Sequence, residues 1–289
     1  MKVATFRWGG RRQAGLLSDD GTRVVPLALG PRAERRGALA LIETLVEGAS
    51  MPRASGASLA LSAVTLEAPL PAPRRNLFCV GRNYRAHAAE LAGSVFAADA
   101  ARDGEWPIVF TKVPESVIAP GEPIVLPRGV SERIDYEAEL AVVIGRGGRD
   151  IRASRAMEHV WGYTIVNDVT ARDVQMRHQQ WDLGKSFDTF CPMGPWLVSA
   201  DEIDGTDLLL TCTVNGEMRQ QARTSQLIFD IPTLIETCSR GITLYPGDVI
   251  ATGTPAGVGM GMDPPRWLRE GDVVRIEIEG IGVLENPVR

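Results

Sequence analysis

Residues 135–145 read DYEAELAVVIG. The second half, AVVIG, is an unbroken apolar run rich in β-branched residues, the pattern of a buried strand. The first half carries acids at every second position. Side chains two apart on a strand share a face, so Asp135, Glu137 and Glu139 point one way and Tyr136, Ala138 and Leu140 the other. Carboxylates brought close together in a poorly solvated place repel each other, so one must hold a proton or a cation must sit between them. An isolated ExE is more often an ordinary solvated face; here the apolar continuation favours burial.

A cation needs further ligands. The next apolar run, GYTIVN (162–167), leads into Asp168, and an acid just past the end of a buried strand is well placed to face a site. Its competing role is a cap for the helix expected after it. Asp135 is a further candidate participant. Three carboxylates with no Cys–His cluster make an all-oxygen site, which suits Mg²⁺, Mn²⁺ or Ca²⁺ and argues against zinc.

On either side, short runs bounded by Pro and Gly predict more strands: NLFCVG (76–81), PIVFTK (107–112), EPIVLP (122–127), WLVSA (196–200), LLLTCTVNG (208–216), DVIATG (248–253) and VVRIEIEG (273–280). Helical patterns cover RNYRAHAAELAG (82–93), DIPTLIETCSRG (230–241) and the start of TARDVQMRHQQW (170–181), where Thr170 and Asp173 have the spacing of a capping box. The segment 94–106, SVFAADAARDGEW, is small and acidic and reads as a loop. Before residue 70, VATFRW, QAGLLS and TRVVPL are strand candidates with an Asp20–Gly21 turn, and residues 32–48 suit one helix. Pro69, Pro71 and Pro73 mark a boundary. The expected organisation is a small N-terminal α+β domain, 1–70, and a larger strand-rich α+β body, mainly β, at 71–289.

The 289 residues are 44% hydrophobic and 23% charged, with 31 Lys+Arg against 36 Asp+Glu and a formal net charge of -5. A mildly acidic chain without a dense basic run is a poor candidate for nucleic acid or an anionic membrane surface. No apolar stretch has the length of a membrane span, and MKVATFRWGGRRQ lacks the apolar core of a secretory signal. Cys79, Cys191, Cys212 and Cys238 show no CxxC spacing, and reduced thiols in a cytoplasmic protein are expected.

Two more clusters bear on chemistry. In GRNYRAHAAEL, His87 and Glu90 are three apart and meet on one side of a helix, where a carboxylate can hold the imidazole in the tautomer of a general base. A solvent-facing pair is the plainer alternative. ATGTPAGVG (251–259) has glycines that let backbone approach a ligand, and Thr254 offers a hydroxyl; the spacing is not that of a phosphate loop. Lys185, in GKSFDTF, is either a surface lysine or an anion contact beside the metal. His159 reads as a packing or surface residue, and His178 lies near the expected site without an evident partner.

Taken together and in order, VGRNYRAHAAE, PIVFTKVPES, IDYEAELAVVIG, GYTIVNDVTARDVQ, GKSFDTFCPMGPW, VNGEMRQ, PGDVIATGTPAGVG and GDVVRIEIEGIGVLENPV resemble the fumarylacetoacetate hydrolase family over roughly residues 75–289. The resemblance implies a mixed β-sandwich roll, a homodimer, and Mg²⁺ or Mn²⁺ on Glu137, Glu139 and Asp168. It implies a water-activating dyad of His87 and Glu90 on a lid segment, with Lys185 stabilising an oxyanion. Arg82, Tyr84, Arg172, Gln175 and Thr254 match substrate-contacting positions. The implied reaction is hydrolysis of a C–C bond in a 2,4-dioxo acid of acylpyruvate type through a metal-bound enolate. Maleylpyruvate and fumarylpyruvate, from aromatic catabolism, are candidate substrates. The same enolate also serves decarboxylation of β-keto acids such as oxaloacetate and isomerisation of unsaturated 2-oxo diacids. A family member that binds a ligand without turnover is the alternative from another class.

Overall fold

The apolar run after the paired acids forms the strand Ala138–Ile144, buried at every position. Its even-numbered residues Leu140, Val142 and Ile144 enter one apolar cluster and its odd-numbered Ala141 and Val143 enter another. A strand can read as uniformly apolar only when both its faces are covered. In a computed structural model of the chain, which describes residues 1–90, 106–177 and 180–289, it lies in the middle of a long mixed sheet.

The order across that sheet is Leu59–Ala60, Arg23–Pro26, Arg11–Leu17, Lys2–Trp8, Cys191–Ser199, Val160–Asn167, Ala138–Ile144, Val249–Ala251, Leu77–Gly81 and Ile108–Lys112. Most neighbours are antiparallel, but Val249–Ala251 and Leu77–Gly81 run parallel. A second, antiparallel sheet of Glu217–Arg223, Leu209–Val214, Val273–Ile278 and Gly282–Pro287 packs on the first. Leu210, Cys212, Val274 and Ile276 share the apolar cluster of Leu140 and Ile165. Val273–Ile278 alternates half-buried or exposed with buried residues, as a one-sided strand must. The helix Leu39–Val46 contributes Leu39, Leu41 and Ile42 to the other face of the large sheet. The architecture is α+β and mainly β, a mixed β-sandwich roll.

Several expectations change. EPIVLP is not a strand: Ile124 makes a single bridge to Val288, because Pro123 and Pro127 have no N–H to donate to a ladder. The helix expected over 32–48 is two, Pro31–Arg36 and Leu39–Val46. It breaks at Gly37, where φ is +57° and a Cβ would lie 2.4 Å from Thr5 Oγ1. The Thr170–Asp173 capping box does not form. Thr170 sits in a two-residue strand opposite Asp135 and its hydroxyl donates to the Asp168 carbonyl, while Asp173 accepts from Ser131. The helix there is only Arg172–Gln175, followed by a separate turn of helix, Asp182–Lys185.

The strand Lys2–Trp8 pairs with Cys191–Ser199 through Lys2↔Val198 and Val3↔Leu197, so the strands of residues 1–70 continue the sheet of the larger body. The loop expected at 94–106 lies, except for Trp106, outside the described residues, as do Gly93 and His178. Among the described residues no helix is long and apolar enough to cross a bilayer.

Candidate metal centre and active site

Register brings the acids together. Ala138 pairs with Asn167, the Asp168 N–H donates to the Glu137 carbonyl at 2.8 Å, and the Glu137 N–H donates to Asn167 Oδ1 at 3.0 Å. Asp168 therefore sits beside Glu137 although 31 positions separate them in sequence. One carboxylate oxygen from each of Glu137, Glu139 and Asp168 lies within 4.8 Å of the others, and all three residues are buried. Asp135 turns elsewhere. The backbone leaves the strand at Tyr136 and Glu137, so the strict alternation read from DYEAEL fails at its start. Asp135 accepts from Arg172 Nε at 2.8 Å and from the N–H groups of Gly259 and Met260 at 2.7 and 3.0 Å.

Three buried cations answer these acids. Lys185 Nζ donates to Glu137 Oε2 at 2.8 Å and Asp168 Oδ2 at 2.7 Å. Lys112 Nζ donates to Asp168 Oδ1 at 2.7 Å, to the Val169 carbonyl at 3.0 Å and to the Lys185 carbonyl. Arg172 Nη2 approaches Glu137 Oε1 at 2.7 Å as an ion pair without hydrogen-bond alignment. Glu139 is different. Among the described residues no cation pairs with it, and its described hydrogen bond is from the Gly253 N–H at 2.8 Å. Burial, then the charges of Asp168 and Glu137, hold its carboxyl well above the usual range. Burial also pushes Glu137 upward, but Lys185, Arg172 and His87 outweigh it and keep that carboxylate below the usual range.

This donor set fits a hard divalent ion. The oxygens are close, buried and all carboxylate, and the crowding that disfavours a charged Glu139 is what a cation among the three would relieve. Mg²⁺ or Mn²⁺ would be held by Glu137, Glu139 and Asp168.

His87 and Glu90 lie on the short helix Arg85–Glu90, with His87 Nδ1 3.1 Å from Glu90 Oε2. His87 is 3% exposed and lines the same cleft as Glu137 and Glu139, which removes the solvent-facing alternative. With Nδ1–H directed at the carboxylate, Nε2 keeps its lone pair and can accept a proton. Glu90 Oε1 accepts from the Gly257 N–H at 3.0 Å, and a Cβ on Gly261 would lie 2.2 Å from Glu90 Cδ.

The glycine-rich ATGTPAGVG thus does something other than approach a ligand. Its amides at Gly253, Gly257 and Gly259 bind the chain's own carboxylates, Glu139, Glu90 and Asp135 in turn. Thr254 lines the cleft, but its hydroxyl donates to the Ala138 carbonyl and accepts from Gln220 Nε2. Arg172 and Gln175 also line it; Arg172 Nη1 donates to Gln175 Oε1 at 3.2 Å. Arg82 lines it from a left-handed turn, φ +55°, between the strand Leu77–Gly81 and the dyad's helix. Tyr84 is buried beside the cleft rather than among its lining residues, and its hydroxyl has no hydrogen-bond partner among the described residues.

Sequence reasoning did not single out Lys112, Phe110 or Trp181. Lys112 ends the apolar strand Ile108–Lys112, and its acceptors are 56 and more positions away, so nothing local marks it. Trp181 could have been found: it stands four residues before Lys185, the spacing of neighbours on a helix. The other histidine read as uninformative, His159, bonds through Nδ1 to the Arg146 carbonyl at 2.7 Å, a structural contact.

The family described as Fumarylacetoacetate (FAA) hydrolase C-terminal matches residues 76–289. A Bacillus subtilis (strain 168) protein named Oxaloacetate tautomerase YisK is 51% identical over 229 residues, covering 79% of this chain and 74% of its own. Among solved structures, a fumarylacetoacetate hydrolase from psychrophilic Exiguobacterium antarcticum is similar with a TM-score of 0.85 and 41% identity, over 100% of this chain and 99% of that one. A 5-carboxymethyl-2-hydroxymuconate delta-isomerase from Mycobacterium smegmatis has a TM-score of 0.78 and 38% identity, over 100% and 99%.

Proposed function

The chain belongs to the fumarylacetoacetate hydrolase family, and on that premise we propose that it is a tautomerase of a small 2-oxo diacid of oxaloacetate type, moving a proton between carbon and oxygen. The observation that carries this reading is the placement of one poised base, His87, in the cleft that also holds the three-carboxylate cluster. A tautomerase needs those two things and no nucleophile. The relatives carry names of several reactions that this site chemistry permits, tautomerisation, isomerisation and hydrolysis among them. A relative 51% identical is named for oxaloacetate tautomerisation, which supports placing tautomerisation ahead of acylpyruvate hydrolysis.

A divalent ion on Glu137, Glu139 and Asp168 would supply positive charge where the 2-oxo acid's oxygens bind. His87 Nε2 takes a proton from the carbon between the ketone and the distal carboxylate and, as the imidazolium, returns it to the ketone oxygen, giving the enol and the neutral ring; the return path runs the same steps backwards. Atoms and charge balance without water or a co-reactant. Glu90 keeps the ring oriented and stabilises it while protonated. The Lys185 ammonium, 2.7–2.8 Å from two of the acids, would stabilise negative charge developing on a substrate oxygen bound beside them.

Hydrolysis of an acylpyruvate is the second reading, favoured by the same dyad, since a base that accepts a proton from carbon can also accept one from water. The test uses freshly dissolved enol oxaloacetate and Mg²⁺-loaded protein. Faster decay of the enol absorbance, with oxaloacetate recovered in full, is expected. No acceleration, together with release of pyruvate and an acid from acetylpyruvate, would replace tautomerase by hydrolase.

A further inference from the structure

We propose that Trp181 sets the length of substrate this cleft accepts, and that Gly81 exists to seat it. The inference rests on the proposed 2-oxo acid chemistry and concerns which member of that class fits. Most of the cleft lining is charged or polar: Arg82, His87, Glu137, Glu139, Arg172, Gln175, Lys185 and Thr254. The apolar part is a wall of Val80, Phe110 and Trp181.

That wall is built in sequence from Lys185. Lys185 Nζ lies 4.8 Å from the centre of the Phe110 ring, and Phe110 packs on Trp181 with centroids 5.3 Å apart and planes tilted by 60°. The indole then lies across Gly81. A Cβ there would be 2.4 Å from Trp181 Cζ3 and 2.9 Å from Cη2, closer than van der Waals contact allows. Any residue but glycine at 81 would push the ring out of its seat. The backbone at Gly81 has no positive φ, so the glycine serves close approach and not conformation.

Trp181 and Lys185 stand four apart across one helical turn, so a single short element delivers both the ammonium at the acids and the indole on the wall. That element is anchored twice. Thr111 Oγ1 donates to Asp182 at 2.5 Å, and a Cβ on Gly184 would lie 2.6 Å from the Gln175 backbone nitrogen, so the helix is locked against its neighbour. The indole is 9% exposed and cannot swing freely. With it in place the cleft among the described residues has a free volume of about 20 Å³, close to the roughly 10–15 Å³ that one water needs. A long distal arm running along this wall meets the indole, whereas a chain of a few carbons does not reach it.

The test reads binding, not turnover. Calorimetry with Mg²⁺-loaded protein compares oxalate, a short probe of the charged end, with 2-oxopimelate, a long 2-oxo diacid. Wild type should prefer the short probe. In Trp181→Ala the ratio of the two dissociation constants should fall at least about tenfold in favour of the long acid, the size of effect that a few methylenes carry in an apolar pocket. Trp181→Phe keeps the packing on Phe110 and should move the ratio the same way by less. Gly81→Ala, whose added methyl occupies the indole's seat, should also move the ratio away from the wild-type value. An unchanged ratio in either folded tryptophan variant would overturn the gate. If selectivity shifts as described but wild type does not tautomerise oxaloacetate, the gate stands and the proposed reaction falls.

Discussion

Glu137 and Glu139 are two positions apart and have opposite electrostatic surroundings: Lys185 and Arg172 flank one, and only the Gly253 amide is described against the other. This asymmetry is invisible in the letters ExE, because it depends on residues 35 to 114 positions away. The acids themselves were legible, since two carboxylates running into an apolar strand demand a proton or a cation. Asp135 was over-read, since period-two alternation holds only while the chain stays extended. Lys112 is the clearest residue the sequence hid. A fully buried ammonium with a carboxylate and two carbonyls as its only described acceptors holds Asp168 in place and ties it to the backbone of Lys185. Lys112→Met keeps the stem and removes the charge, leaving Asp168 with one cation instead of two. Breaking a buried pair in this way costs about 3–5 kcal/mol. Chemical denaturation should therefore show a loss of that size, and Mg²⁺ titration a weaker, not abolished, site. A loss below about 1 kcal/mol would mean that water replaces the ammonium at no cost.

At the scale of elements, the apolar runs announced most strands, because burial dictates composition. The strand Glu217–Arg223, EMRQQAR, did not announce itself: it lies at the edge of the second sheet, where exposed positions need not be apolar. The loop 253–261 was legible as glycine-rich but not in its role. Three of its amides hold carboxylates belonging to the metal cluster, the dyad and Arg172's partner, so one segment sets the positions of all three. Gly261 offers a clean probe. Its φ is not positive, so alanine is tolerated by the backbone, and the added Cβ meets only the Glu90 side chain among its nearest atoms, at 2.2–2.4 Å. Gly261→Ala should displace that carboxylate from His87 and lower kcat by about tenfold or more, within the range general-base catalysis contributes. KM should change far less than kcat, because the substitution disturbs the orientation of the base and leaves the metal ligands in place. Mg²⁺ affinity, set on another part of the loop, should stay close to wild type. An unaltered kcat would place the proton transfer on a group other than the dyad.

Across the whole molecule, the prolines at 69, 71 and 73 suggested a boundary, and they lie in the connection between the strands Thr65–Glu67 and Leu77–Gly81. What the sequence could not show is how much of the first 70 residues completes the rest. Lys2–Trp8 covers the side of Cys191–Ser199 that faces away from Val160–Asn167. Leu39, Leu41, Ile42 and Leu70 pack in one cluster with Ala141, Val143, Val166 and Leu197. Thr5 ties both parts of this segment together, donating to the Pro69 carbonyl and accepting from the Ala38 N–H, each at 2.8 Å. Strand pairing and face burial are long-range facts that local periodicity does not carry. A chain beginning at residue 71 would leave the apolar face of the central strand open beside a bare strand edge, the combination that drives edge-to-edge association. Size-exclusion chromatography of residues 71–289 should therefore give aggregate, and its thermal unfolding should lose cooperativity, even though every proposed metal ligand and both members of the dyad are retained. A well-behaved species that binds Mg²⁺ like the full chain would establish instead that the site is self-sufficient and that the N-terminal strands serve only as a cover.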